Sequence, residues 1–204
     1  MTDDQARGAA KVGRPAIGLS KDAVLDVAER LAQTSGYNGF SYADIASRLG
    51  ITKASLHYHF ASKAELGAAL IRRYRSAFAA ALATIDARLA APQHRLRAYA
   101  GLYEAVLRDE RMCLCGMLAA EYATLPSRMQ AELGQFFGEN ERWLSRVLLA
   151  GRAAGALRFR ESPQVRARVL IAGLEGAMLL ARAHGSPRRF HAAVRCLLTD
   201  LRAA

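Results

Sequence analysis

The 204-residue chain is long enough for one or two compact domains, and its composition is 52% hydrophobic but only 7% aromatic. Because alanine and leucine recur throughout, this composition favours helices packed on helices over a β-sheet. The formal net charge of +11 favours a polyanionic partner such as nucleic acid or an anionic membrane surface. Three cysteines are too few for a disulfide-rich secreted domain, and no apolar run is long enough to cross a bilayer, so we expect a cytoplasmic protein.

The first nineteen residues carry no helical pattern of apolar side chains and contain Gly13, Pro15 and Gly18. We therefore predict a flexible basic arm over residues 1–19. Its arginine and lysine side chains either follow a phosphate backbone or are simply solvated.

Ser20 can cap a first helix that runs to about Thr34, because the apolar residues between them recur at helical spacing. A later helix begins at Ser62, which has the S-x-x-E spacing of a capping box with Glu65, and it has no breaker before Pro92. Prolines and glycines divide the remainder into predicted helices at residues 93–111, 116–123, 127–153, 163–184 and 187–202. The chain is thus predicted to be all-α, with about nine helices.

Two short helices are predicted between these longer ones. Ser41 and Asp44 have the spacing of a capping box, and Gly50 can adopt the left-handed conformation that often ends a helix. Thr52 can then cap the second short helix. Two helices joined by such a tight turn are typical of a helix-turn-helix unit.

The second short helix has two chemically different faces. Leu56 and Phe60 are four residues apart and so share a face that we expect to be buried. Lys53, Ala54 and His57 lie on another face, where a helix-turn-helix protein meets the DNA major groove. Lys53 could donate to guanine O6 and N7.

The segment GYNGFSYADIASRLGITKASLHYHFASKAEL resembles the DNA-binding domain of the tetracycline-repressor (TetR) family of bacterial regulators, and the resemblance is close over residues 20–75. The segments MCLCGMLAAEYATLP and LEGAMLLARAHG resemble, more loosely, the ligand-binding half of a subgroup that includes regulators of detoxification genes. The resemblance implies an N-terminal three-helix DNA-binding domain at residues 20–66. It implies a C-terminal helical domain for ligand binding and dimerisation at residues 67–204.

The resemblance also implies the DNA contacts. Base edges would be met by Lys53, Ala54 and His57, and the other predicted DNA-binding residues are Ser41, Tyr42, Thr52, Ser55, Tyr58, His59 and Lys63. Of these, Ser41 and Tyr42 can hold a phosphate at a helix N-terminus. The sequence departs from the family at His57, where a tyrosine is usual. Two alternatives are a surface that only packs, and a metal site built on two histidines, for which no cysteine or carboxylate lies at ligand spacing.

Dimerisation is implied for the last two helices, which pair as a four-helix bundle in the family. The predicted interface is an apolar stripe with small residues, consisting of Leu170, Gly173, Leu174, Ala177 and Met178. A symmetric homodimer fits a palindromic operator on double-stranded DNA. The alternative is that this stripe packs only within the monomer.

A mostly apolar effector pocket is implied by the helices that surround the family's ligand cavity. The candidate lining residues are Phe78, Leu82, Tyr99, Tyr103, Cys113, Met117, Phe136, Phe137 and Trp143. Each of them could instead be ordinary core. Glu175 lies in an apolar run and could pair with an arginine, bind a ligand amine or cross the dimer interface, and we favour the arginine.

Cys113 matches a cysteine that precedes a short helix in the detoxification-type subgroup, some members of which sense electrophiles or oxidants through it. Arg108, Arg111 and the helix N-terminus would lower its pKa and favour a thiolate. The alternative is a buried, inert thiol, beside which an apolar molecule binds reversibly.

The sequence therefore predicts a one-component repressor that a small apolar or reactive molecule releases from its operator, without a cofactor or a metal. An architectural DNA-binding protein without an effector is the second hypothesis. A helical protein attracted to membrane surfaces by arginine-rich faces is the third. An enzyme is not expected, since no convergent set of acid, base and nucleophile is visible.

Overall fold

The computed structural model describes residues 20–201, which form nine α-helices and one short 3-10 turn. The helices are α1 (Lys21–Ser35), α2 (Tyr42–Leu49), α3 (Lys53–His59), α4 (Lys63–Arg88), α5 (Pro92–Arg108), α6 (Leu114–Ala120), α7 (Ser127–Ala153), α8 (Pro163–Ala183) and α9 (Pro187–Thr199). The predicted all-α fold is confirmed for this part of the chain. The predicted basic arm at residues 1–19 lies outside it. Within the same range, no helix has the length and apolarity needed to cross a membrane.

Helices α1, α3 and α4 begin directly after the serine or threonine that was predicted to cap them. The side chains of Ser20, Thr52 and Ser62 accept hydrogen bonds from the backbone N–H three residues later, at 3.1, 3.2 and 3.2 Å. Each bond satisfies an N–H that has no partner inside its helix. Local sequence thus sets the starts of α1, α3 and α4.

The turn between α2 and α3 is also fixed locally. The backbone N–H and the hydroxyl of Ser41 both donate to Oδ2 of Asp44 at 2.7 Å, and these bonds lower the pKa of Asp44. Gly50 ends α2 with φ of 65°, in the left-handed region that glycine enters without steric cost. The helix-turn-helix unit is confirmed.

Two packed bodies share the long helix α4. Helices α1, α2 and α3 enclose a small core around Ile45 and Leu56, which are 0% and 1% exposed. Beyond this core α4 packs on α5 and α7, while α8 lies between α7 and α9. Because the predicted domain boundary at residue 66 falls inside α4, a change in the tilt of this helix moves both bodies.

The loop that joins α1 to α2 is held from both sides. Glu121, which directly follows α6, accepts hydrogen bonds from the backbone N–H groups of Tyr37 at 2.8 Å and Asn38 at 3.2 Å. On the other side, the ammonium group of Lys63 donates to the carbonyl oxygens of Tyr37 and Phe40. The loop before the helix-turn-helix is therefore bonded directly to the C-terminal body.

The end of α1 is attached to the same body. The N–H of Met112 donates to the carbonyl of Gln33 at 3.1 Å, and Nη1 of Arg111 donates to its side-chain oxygen at 2.9 Å. Arg182 of α8 donates from Nη2 to the carbonyl of Thr34 at 2.5 Å. These bonds satisfy carbonyls that the end of a helix leaves free.

Gly36 is the glycine that connects this loop to Glu121. Its φ is 81°, and a Cβ built on it would lie 2.5 Å from Oε1 of Glu121. We expect Gly36→Ala to lower the free energy of unfolding by roughly 3–5 kcal/mol, through backbone strain and the loss of the Glu121 bonds.

Gly50→Ala is the matched control, because Gly50 also has a positive φ but no atom within 4 Å of the added Cβ. This variant should lose only about 1–2 kcal/mol. Urea denaturation followed by circular dichroism measures both. Equal losses would show that the contact with Glu121 contributes nothing.

Candidate DNA interface and effector core

Helix α3 presents a polar face to solvent and an apolar face to the core. The exposed residues of α3 are Lys53, Ala54, His57 and Tyr58, and its N-cap residue, Thr52, is also exposed. Tyr58 is 87% exposed, whereas Leu56 is 1% exposed. The two faces match those predicted from the sequence, and the exposed one is free to enter a groove of DNA.

His57 is fixed in place by two contacts. Its ring centroid lies 4.8 Å from that of Tyr42, and its Nδ1 lies 3.1 Å from the carbonyl oxygen of Ala61. Tyr42 is itself anchored, since its hydroxyl donates to the carbonyl of Phe60 at 2.9 Å and burial raises its pKa to about 12. The hydroxyl of Tyr42 thus connects α2 to the end of α3, a role that the sequence did not indicate.

Lys63, which is predicted to contact a phosphate, makes internal contacts in the structure. Its ammonium group bonds two carbonyls of the α1–α2 loop and lies 4.4 Å from the ring centroids of both Tyr37 and Phe40. Burial lowers its pKa. The family motif alone could not show this, because the partners of Lys63 lie more than twenty residues away in the sequence. The predicted Ser55 and His59 are half-buried.

The predicted effector pocket is filled by aromatic side chains that pack on one another. The rings of Tyr99 and Trp143 are stacked with centroids 5.6 Å apart, and Phe78 meets Phe136 edge-to-face at 5.2 Å. Tyr99, Phe136 and Trp143 are at most 4% exposed. The structure therefore brings these predicted lining residues together in a closed core.

Buried polar groups cross this core, and sequence reasoning missed most of them. The Tyr99 hydroxyl donates to Oδ1 of Asn140 at 3.1 Å and lies 3.2 Å from the Tyr103 hydroxyl. Nε1 of Trp143 donates to Asp86 at 2.9 Å. Asn140 is 2% exposed, and its only signal in the sequence is a polar side chain at helical spacing from Phe136 and Leu144.

Cys113 is the N-cap of α6, but its environment is the opposite of the one predicted. The side chain is 2% exposed, and burial, followed by the neighbouring Glu175, raises its pKa well above the usual value. Arg108 and Arg111 pair instead with Glu104 and Asp109, at 3.0 and 2.7 Å. The predicted thiolate is therefore corrected to a buried neutral thiol.

Glu175 of α8 extends its carboxyl group against α6. Burial raises its pKa to about 7, and its Oε1 atom is buried without a hydrogen-bond partner. The arginine partner that we expected is absent from the described residues, where no salt bridge includes Glu175. The prediction of an arginine was wrong, because such a pairing depends on long-range packing and not on the local sequence.

The predicted dimer stripe packs inside the protomer. Leu170, Leu174, Ala177 and Met178 are at most 6% exposed, and Gly173 lies against Leu197 of α9. The exposed apolar residues of α8 are instead Val165, Val169, Leu179 and Leu180, at 42–61% exposure. Because α8 is apolar on both faces, the sequence pattern could not tell the inner face from the outer one.

The raised pKa of Glu175 predicts a pH dependence of stability. A carboxyl group whose pKa is higher in the folded state destabilises the fold as pH rises from the ordinary pKa of 4.5 through about 7. Glu175→Gln removes this loss. We expect the difference in unfolding free energy between Glu175→Gln and wild type to grow by about 3 kcal/mol across that interval.

Denaturant titrations at pH values on either side of the interval measure this difference. Cys113 and Tyr74, which neighbour the carboxyl group, have raised pKa values and stay neutral there. Glu141→Gln is the control. Glu141 lies outside the core and pairs with Arg168, with a distance of 2.9 Å between Oε2 and Nε. A flat difference for Glu175→Gln would mean that the carboxyl group is solvated.

Comparison with known proteins identifies both halves of the chain. The family model for bacterial regulatory proteins of the tetR family matches residues 24–70, and that for the tetracyclin repressor-like C-terminal domain matches residues 92–197. A TetR-family regulator from Agrobacterium tumefaciens is 37% identical, with a TM-score of 0.87 over 90% of this chain and 97% of its own.

Two further relatives support the same assignment. A TetR regulator from Legionella pneumophila is 32% identical, with a TM-score of 0.83 over 92% of this chain and 100% of its own. Transcriptional regulator AcuR of Cereibacter sphaeroides is 28% identical over 90% of this chain and 85% of its own. The chain belongs to the TetR family of bacterial regulatory proteins, whose members are transcription factors and not enzymes.

Proposed function

We propose that the protein is a one-component repressor, in which residues 20–66 bind a palindromic operator and residues 67–204 dimerise and bind a small-molecule effector that releases the DNA. The observation that carries this proposal is the position of α3. Its apolar side chains are buried, its polar face is open, and its end is fixed to α2 by the hydroxyl of Tyr42. A helix held in this way can enter the major groove as a rigid unit.

The outer face of α8 supports a homodimer. Four of the seven large exposed hydrophobic side chains in the described part of the chain lie on it, namely Val165, Val169, Leu179 and Leu180. Large apolar side chains gathered on one exposed helix are typical of an interaction surface. Pairing it with its own copy about a two-fold axis would place two α3 helices on successive major grooves, roughly 34 Å apart.

The closed aromatic core supports an effector that binds reversibly. Its rings pack on one another, so a ligand of similar size must displace side chains and separate helices in order to enter. The buried, neutral thiol of Cys113 favours this mechanism over modification of a thiolate.

Helix α6 offers a path from the core to the DNA-binding unit. Cys113 lies at the N-terminal end of α6, beside the core. Glu121 follows the last residue of α6 and accepts hydrogen bonds from the loop before α2. A rigid movement of α6 would pull on the backbone of Tyr37 and Asn38. Each α3 helix would then turn relative to its partner, and the dimer would no longer match successive grooves.

Lys53 provides the test of DNA recognition. We expect Lys53→Met to relax sequence preference at one base pair of each half-site by about 1–3 kcal/mol, because methionine has no donor for a base edge. The operator is first isolated from a random duplex pool, and gel-shift titrations at several salt concentrations then measure affinity and its salt dependence.

Arg88→Gln is the matched control, since Arg88 is exposed at the far end of α4, roughly 37 Å along the helix from Lys63. It should bind the operator as wild type does. If the pool yields no preferred palindrome, the protein is an architectural DNA-binding protein and the repressor proposal fails. If the pool yields an operator but both variants bind alike, α3 does not read the bases through Lys53.

Glu121 provides the test of coupling, without knowledge of the effector. Coupling between two sites is reciprocal, so operator binding should change the environment of Trp143, the single tryptophan of the chain. We expect Glu121→Gln to reduce this change in fluorescence by at least half, because the amide loses the charge that holds two N–H groups.

Glu104→Gln serves as the control, since Glu104 pairs with Arg108 at the surface of α5. Its fluorescence response should equal that of wild type. A full response in Glu121→Gln would show that the signal travels by another route, such as α4 alone.

A further inference from the structure

Glu175 occupies a site that is shaped around its carboxyl group. A Cβ built on Gly116 would lie 2.2 Å from Oε2 of Glu175, so every residue other than glycine at that position would push the carboxyl group away. The other oxygen, Oε1, is buried and accepts no hydrogen bond. A buried carboxyl oxygen without a donor costs free energy, which a suitable ligand can recover.

The protein itself supplies no cation to this oxygen within the described residues. The chain contains 29 lysines and arginines, yet those that lie near Glu175 bond other groups. Arg75 pairs with Glu132 at 2.5 Å, and Arg73 pairs with Glu29 at 2.8 Å. Among the described residues, Glu175 is the acid with a buried side-chain oxygen that accepts no hydrogen bond.

Tyr74 is near the carboxyl group and begins a cluster of aromatic rings. The Tyr74 hydroxyl is 3.9 Å from Sγ of Cys113, which neighbours Glu175, and the Tyr74 ring lies 5.7 Å from that of Phe136. Phe136 in turn meets Phe78 at 5.2 Å. The faces of such rings attract cations, and their surfaces accept apolar groups.

Met117, which follows Gly116 on α6, contacts α8. It is half-buried, and its sulfur lies 3.9 Å from Nη1 of Arg182 on α8. A methionine side chain is unbranched and can be displaced with little strain. A small molecule could therefore reach Glu175 without unfolding either helix.

We propose that the effector is a small organic ammonium ion, whose N–H donates to Oε1 of Glu175 while its apolar substituent packs among Tyr74, Phe78 and Phe136. The inference rests on the proposed function, because it names the chemical class of the effector. The pKa of Glu175, raised by burial to about 7, supports it, since the charged form is accessible near neutral pH and a cation stabilises it.

Three probes of similar shape test the proposal: benzylammonium chloride, benzyl alcohol and sodium benzoate. Their binding to the full chain is followed by the fluorescence of Trp143, which is stacked on Tyr99 within the same core. We expect benzylammonium to bind at least about tenfold more tightly than benzyl alcohol, since its hydrogen bond to the carboxylate is charge-assisted. Benzoate should bind most weakly.

Two variants separate the site from general effects of charge. Glu175→Gln should bind benzylammonium and benzyl alcohol about equally, whereas Glu141→Gln, on the outer side of α7, should keep the wild-type preference. Equal binding of the two probes by wild type, or no binding of benzylammonium at millimolar concentration, would overturn the proposal. So would a preference that survives in Glu175→Gln.

A second measurement addresses the possibility that Oε1 meets the partner protomer in a dimer. If Glu175→Gln weakens the dimer in sedimentation experiments and leaves the preference among the probes unchanged, the carboxyl group belongs to the interface and the ammonium site is overturned. The fluorescence assay needs no DNA, so its outcome is independent of operator binding. A wild-type preference for benzylammonium in a protein that selects no operator would refute the repressor and leave the ammonium site standing.

Discussion

The carboxylate of Glu121 is the contact on which the relation between the two bodies depends. It accepts hydrogen bonds from two consecutive N–H groups, of Tyr37 and Asn38, in a loop that has neither helix nor strand to satisfy them. Lys63 satisfies the carbonyl side of the same loop. Because the backbone is bonded from both sides, the start of α2 follows the end of α6. Gly36 is required here because its conformation and the nearness of Glu121 leave no room for a side chain.

Aromatic packing stabilises the closed state of the effector core, whereas the buried carboxyl group of Glu175 destabilises it. Rings that stack and meet edge-to-face, such as Tyr99 with Trp143 and Phe78 with Phe136, favour the closed state. Glu175 disfavours this state, because its Oε1 is removed from water without gaining a donor. The closed core is thus stable but carries a local penalty at the place where α6 begins.

Local signals in the sequence predicted the fold well, and long-range contacts explain what they missed. Capping hydroxyls and Gly50 act on neighbouring backbone atoms, so the starts of α1, α3 and α4 and the turn of the helix-turn-helix could be predicted. The inner and outer faces of α8 could not be told apart, because both are apolar and only packing on α7 and α9 chooses between them. The partners of Lys63 and the lack of a basic partner for Glu175 depend on residues that are far away in the sequence. The spacing of apolar residues does not reveal such contacts.

These two features, the bonded loop and the unsatisfied acid, lie at opposite ends of α6, and this arrangement is the one that a two-state element requires. A ligand shifts an equilibrium only by its difference in affinity for the two states, and a shift from 1:99 to 99:1 needs about 5.5 kcal/mol. Apolar contacts alone supply little of this difference, since the closed core already makes equivalent contacts between its own rings. A donor for Oε1 is different, because the closed state has none. On the proposal of an ammonium effector, the free energy gained at Glu175 would therefore belong to the open state alone, and it would move α6 and the loop that Glu121 holds.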